Sequence, residues 1–246
     1  MALAVLASSP AAADPDPDPN LDPYPSTYVD RPLLYASGMT GVELSVDAPT
    51  YRIGESSSTR LGDHVFPGGS VLHAFDGFQL GAGFGDTPGG PYVSGGGRFY
   101  AGPGAVSIDA SMLLPNNTTN LDSSLVESLG YSLKAVPVPH VLAVGCSASV
   151  AAYEVSPMYA PSSFPVFAAG AAGGTLQLLP ELAFGATIGA STPLAERDSN
   201  HSAVFASASM TYVYKMVDVF GFVRANELQH APLPVVGGGV VLRFGR

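Results

Sequence analysis

From Val204 to Tyr214 the chain reads VFASASMTYVY, and its side chains sort by parity. Val204, Ala206, Ala208, Met210, Tyr212 and Tyr214 fall on one face; Phe205, Ser207, Ser209, Thr211 and Val213 fall on the other. Successive side chains of an extended chain point to opposite sides, so a period of two with small polar residues on one face describes a strand rather than an amphipathic helix. After a brief turn at Lys215–Asp218 the chain is apolar on both faces over Val217–Asn226, and the pattern alone does not assign the faces of this returning limb. Together the two limbs predict a β-hairpin.

The same period recurs upstream and downstream. Ala105–Leu114 sets Val106, Ile108, Ala110, Met112 and Leu114 against Ser107, Asp109 and Ser111. Glu127–Ala135 sets Leu129, Tyr131 and Leu133 against Ser128, Gly130, Ser132 and Lys134. Val141–Ala152 sets Leu142, Val144, Cys146, Ala148 and Val150 against Ala143, Gly145, Ser147 and Ser149. Leu182–Gly189 and Val236–Phe244 alternate in the same way. These segments have the roughly 9–11 residues that a tilted strand needs to cross a bilayer. Their connections alternate in length: Val136–Pro139, Leu179–Pro180 and Lys215–Asp218 are tight, whereas Pro115–Ser124, Glu154–Phe164, Pro193–His201 and Ala225–Pro234 are long. Outer-membrane barrels show that asymmetry, with short turns at one end and longer loops at the other. The fold class predicted is therefore all-β, an up-and-down antiparallel transmembrane β-barrel. Eight strands follow from about Gly104, and Gly41–Arg52 and Phe75–Gly85 bring the count to ten. Tyr92–Tyr100, before the Ala101-Gly102-Pro103 turn, leaves eight and twelve as the alternatives.

Composition supports a chain that meets lipid. Hydrophobic residues make up 46% and charged residues only 12%, about half the charge of an ordinary globular domain. A net charge of −10 with only ten Lys and Arg lacks the basic clusters that neutralise phosphates, which excludes nucleic acid as a partner. Cys146, the lone cysteine, excludes an intramolecular disulfide and a multi-cysteine metal site; on the apolar face with Leu142 and Val144 it reads as a small lipid-facing hydrophobe. His64, His73, His140 and His230 show no metal-ligand spacing. No cofactor and no enzymatic activity are expected.

Residues 1–13 end in Ala11-Ala12-Ala13 after an apolar stretch, as a secretory signal peptide does. Residues 14–38 begin DPDPDP, and alternating proline predicts an extended, disordered acidic linker. The spacing of Asp14, Asp16 and Asp18 is not a calcium loop, because Pro19 and Pro25 stand where the required Gly and Glu would be. Residues 39–246 are assigned to the barrel.

If the polar face of each strand points inward, Asp109, Lys134, Gln177 and Arg243 lie in a lumen of Ser, Thr, Gly and Ala. Charge in a narrow interior is costly unless paired, so Lys134 and Arg243 are expected to meet acids such as Asp109 or Glu181. Tyr212 and Tyr214, beside Lys215, and Phe244 suit an interfacial aromatic girdle.

The hairpin TYVYKMVDVFGFVR (Thr211–Arg224) and the terminal GGGVVLRF (Gly237–Phe244) resemble small bacterial outer-membrane β-barrels of the porin-like and OmpA-like class. The resemblance implies an outer-membrane location, outer-membrane lipids around the barrel, and recognition by the barrel-assembly machinery through a final strand ending in an aromatic. Here Gly245-Arg246 follow Phe244. The role implied is structural, adhesive or narrow-pore, with a small solute or surface partner. A secreted soluble all-β binding or adhesin domain is the alternative. An outer-membrane lipid-modifying enzyme, built on Asp198, His201 and Ser202, is a minor one. Helical spans are disfavoured, since Pro137, Pro139, Pro157, Pro161, Pro165 and Pro180 interrupt or flank the uncharged stretches.

Overall fold

The computed structural model describes residues 25, 27–49, 65–87, 90–114, 121–157, 164–194, 202–226 and 233–245. Twelve strands form one closed sheet: β1 (Thr40–Pro49), β2 (Phe66–Ala74), β3 (Phe78–Thr87), β4 (Gly90–Ala101), β5 (Gly104–Leu113), β6 (Leu121–Val138), β7 (Leu142–Pro157), β8 (Val166–Leu179), β9 (Leu182–Pro193), β10 (Ala203–Tyr214), β11 (Val217–Asn226) and β12 (Leu233–Phe244). Each strand pairs antiparallel with its sequence neighbours, and β1 closes on β12 from Thr40↔Phe244 to Pro49↔Val235. Closure leaves no unpaired edge.

The count is twelve, not ten. The two strands the pattern did not score are β2, FPGGSVLHA, and β4, GPYVSGGGRFYA. Pro67, Gly68 and Gly69 in one, and Gly95, Gly96 and Gly97 in the other, read locally as turn residues. In a closed sheet the ladders on both sides supply the pairing that such residues do not favour by themselves. The alternation of short and long connections also fails once, because Thr87 pairs with Gly90 across only two residues at the long-loop end. The turn expected at Val136–Pro139 falls later, over Pro139–Val141, with His140 at φ 61. Pro137, without an amide to offer the ladder, sits in the register shift between Ala135 and Val138.

The sheet is apolar outside and polar inside. Leu44, Phe84, Ile108, Leu129, Ile188 and Val219 point outward and are about half or more exposed. Cys146 is exposed on the same face. A soluble sandwich buries its large apolar side chains, so this inversion and the closed topology remove the sandwich reading. An outer surface of this extent is stable against hydrocarbon, not water. On β11 the outward residues are Val217, Val219, Gly221 and Val223, and the inward ones are Asp218, Phe220, Phe222 and Arg224. The phenylalanines of the ambiguous limb thus belong to the lumen. Their rings lie over inward glycines of β12: a Cβ on Gly237 would fall on the Phe222 ring, and one on Gly239 on the Phe220 ring. Glycine is required there by the close approach of a ring.

Candidate functional site

Residues 27–39, the end of the expected linker and the residue after it, are folded inside the barrel. Residues 14–24 lie outside the described residues, as does the signal-peptide assignment. From Thr27 the chain makes a short 3-10 turn, Tyr28–Asp30, crosses the lumen at the short-turn end, and enters β1. We refer to Thr27–Met39 as the strap. Its apolar residues are among the most buried of the described residues: Val29 at 0%, Met39 at 2% and Leu34 at 3% exposure. The sequence signal is the change at Tyr28 from repeated Asp-Pro to YVDRPLLYASGM, which has apolar residues to bury.

The strap is held by side chains from around the mouth. Val29 N–H donates to Gln177 Oε1 on β8 (3.2 Å), and Tyr35 N–H donates to Gln79 Oε1 on β3 (3.1 Å). Gly38 N–H donates to the Ala74 carbonyl at the end of β2 (2.8 Å). Lys134, on β6, donates from Nζ to the Arg31 carbonyl (2.6 Å). At the β6–β7 turn His140 N–H donates to Asp30 Oδ1 (3.0 Å), and His140 Nδ1 lies 2.6 Å from Asp30 Oδ2. Thr27 Oγ1 donates to the same carboxylate. Burial pushes the Asp30 carboxyl up, but the hydrogen bonds from Thr27 and His140 outweigh it and leave the group below its ordinary value. Burial pushes the Tyr28 and Tyr35 phenols up, which keeps them neutral.

The centre of this set is ionic. Arg31 meets Asp218 of β11 with two parallel bonds, Nη1 to Oδ2 at 2.5 Å and Nη2 to Oδ1 at 2.9 Å. Arg243 of β12 donates from Nη2 to the same Oδ1 (3.1 Å) and to the Lys215 carbonyl (2.7 Å). All three side chains are almost wholly buried. One carboxylate thus serves two guanidiniums, one from the wall and one from the strap. Further toward the long-loop end, Arg224 reaches across β12 to Asp47 of β1 at 2.5 Å, with its guanidinium over the Phe222 ring.

The structure brings Asp109, Lys134 and Arg243 to the lumen side and does not bring them together. Arg243 is paired with Asp218, Lys134 with a main-chain carbonyl, and Asp109 lies on β5. Glu181 is in the exposed β8–β9 turn, outside the lumen. Asp218 and Arg31 were not singled out by sequence, because alternation is lost over Val217–Asn226 and Arg31 follows a proline-rich run. Tyr212, Tyr214 and Phe244 stand on the outer face at the short-turn end, 48%, 57% and 49% exposed, with Lys215 Nζ 5.5 Å from the Tyr214 ring centre. Of the minor enzymatic set only Ser202 is described, and it donates to Thr192 Oγ1 (2.9 Å); Asp198 and His201 lie outside the described residues. Among the described residues no His, Cys, Asp or Glu cluster is suited to a metal.

No family model matches the sequence, and no curated protein is similar to it at a significant level. Solved structures are. The NanC porin superposes with a TM-score of 0.54 at 8% identity, covering 82% of this chain and 98% of that one. The KdgM porin gives 0.54 at 10% identity, covering 83% and 99%. An outer-membrane channel from Pseudomonas putida F1 gives 0.52 at 10%, covering 86% and 97%. The fold is that of a porin-like outer-membrane barrel. At these identities the likeness is one of fold, and what passes through this barrel is a question for its own lumen.

Proposed function

We propose that the protein is an outer-membrane channel for small solutes, narrowed at its short-turn mouth by its own N-terminal strap, with no catalytic role. The observation that carries this is the strap itself: an ordered segment bound through ion pairs and hydrogen bonds inside a polar lumen. Eight-stranded barrels are filled by their side chains, whereas the open porins have about 16–18 strands. Twelve strands lie between, and a strap across one end brings the aperture down to the size of a small molecule. By the rule that short turns face the periplasm, the strap closes the periplasmic mouth. Tyr212, Tyr214 and Phe244 then stand at the periplasmic lipid interface, with outer-membrane lipids against the band above them. The final strand to Phe244 is the segment through which the assembly machinery would recognise the chain. Residues 1–13 are an export signal, and residues 14–26 lead from it to the strap.

Single-channel recording in planar bilayers tests the proposal. Small, discrete conductance steps are expected from the folded protein, and larger steps from Arg31→Ala, which frees the strap from Asp218. A folded barrel that is electrically silent in both forms would overturn the channel reading.

A further inference from the structure

The strap does not narrow the lumen evenly. Two cavities of about 380 and 450 Å³ have Tyr28, Leu33, Lys134 and Ser209 in both their walls, so both end against the strap. A third, of about 260 Å³, is enclosed by β2–β6 and is lined by no strap residue. It runs from Ser111 and Val126 down to Arg98 and Gln79, in the rows beside the β2–β3 and β4–β5 turns, where Gln79 accepts from Tyr35 N–H at the edge of the strap.

The reason for the open side is in the inward residues. On β9–β12 the inward Gly189, Gly237 and Gly239 are each covered by a phenylalanine ring, from Phe205, Phe222 and Phe220. On β3 the inward Gly85 is likewise covered, by the Tyr92 ring, but the inward Gly81 has no ring over it; a Cβ there would meet only the Val71 carbonyl at 3.4 Å and Leu72 at 3.7 Å and beyond, ordinary contacts. At Gly81, in the wall of the strap-free cavity, the space left by bare backbone is kept.

The charges differ between the cavities as well. Arg31 and Arg243 share Asp218, Arg224 is paired with Asp47, and Lys134 is bonded to the strap. Glu43 faces a cavity that ends on the strap. Arg98 and Asp109, both in the wall of the open cavity, make no ion pair among the described residues. Arg98 stands opposite Ser107, and Asp109 two residues further along β5, a diagonal relation that separates the two backbones by about 7–8 Å. A cation and an anion thus face the same passage from neighbouring rows, among Ser70, Ser94 and Ser128.

We propose that solute crosses along the β2–β6 wall and that Arg98 and Asp109 are its selectivity residues, an assignment that rests on the channel reading above. The arrangement fits a small zwitterion of amino-acid size. Its carboxylate accepts from the Arg98 guanidinium while its ammonium donates to Asp109, and water lost at each end is replaced by a charge-assisted hydrogen bond. A solute with one sign of charge gains at one residue and is repelled at the other.

The test uses the full chain reconstituted in planar bilayers and liposomes. Ser94→Cys is expected to lose more than half its conductance on reaction with a charged methanethiosulfonate reagent, and Ser209→Cys, in the blind cavities, to lose little. The reverse order would overturn the route. Arg98→Gln and Asp109→Asn are expected to shift the reversal potential in a KCl gradient in opposite directions, toward cations and anions respectively; no shift in either would overturn the selectivity residues. Glycine entry into liposomes, relative to a neutral polyol of similar size, is expected to fall several-fold in both variants, and an unchanged ratio would overturn the zwitterion. A wild-type barrel that folds yet passes neither ions nor glycine would remove the channel reading, and this assignment with it.

Discussion

Asp218 is the residue on which the mouth depends most. Buried and shared by Arg31 and Arg243, it cannot be replaced without stranding two guanidiniums in a low-dielectric interior, a penalty of about 3–5 kcal/mol when one partner of a buried pair is removed. Asp218→Ala is therefore expected to lower the urea midpoint for unfolding, followed by tyrosine fluorescence, well beyond the effect of Arg224→Ala at the half-exposed pair with Asp47. Lys134 has a different part from the one its charge suggests. Its partner is the Arg31 carbonyl, not an acid, so Lys134→Met removes one charge-assisted hydrogen bond, worth about 1.5–3 kcal/mol. That loss is expected to appear as larger conductance steps as well as reduced stability, because the bond anchors the strap.

Among the elements the strap is the one able to respond to its surroundings. The Asp30 carboxyl is held below its ordinary value by Thr27 and His140. A carboxyl depressed in the folded state contributes stability that is present above its unfolded value of about 4 and is lost as the pH falls through the folded one. The latch at the β6–β7 turn is thus expected to hold at neutral pH and release in acid, below about pH 4. Conductance recorded against pH should rise on acidification in that range, and the same rise should be absent from Asp30→Asn. His140 is largely exposed, so the pair is worth under about 1 kcal/mol and the change in conductance should be graded.

For the whole molecule, closure is the dominant fact. A sheet with no edge, apolar outside, is expected to resist detergent unfolding at room temperature, so that unboiled and boiled samples migrate differently on electrophoresis and the protein fractionates with the outer membrane. A freely soluble protein with one mobility would contradict the membrane reading. Gly81→Phe belongs at this scale too: it adds a ring where the inward backbone of β3 is uncovered, and a reduced conductance with unchanged heat-dependent mobility is expected.

Six of the twelve strands, β5, β6, β7, β9, β10 and β12, were legible from alternation alone, because each has a lipid-type face and a lumen-type face and parity separates them; β8 and β11 followed from the tight turns that join them to β9 and β10. β2 and β4 were not, since glycine and proline carry the same local signal in a turn and in a strand whose neighbours supply the pairing. The outward positions of Tyr212, Tyr214, Phe244 and Cys146 followed from parity as well. The partners of Arg243 and Lys134 did not. Asp218 is 25 residues from Arg243, and Arg31 is 187 from Asp218 and 103 from Lys134. Such contacts exist only after the sheet has closed and the segment before β1 has folded back into it. The sequence by itself determined a membrane-type barrel, through a periodicity that each strand carries alone. Tertiary structure decided the number of strands, the strap across the mouth and which inward charges are paired, because those depend on what lies across a closed sheet rather than along the chain.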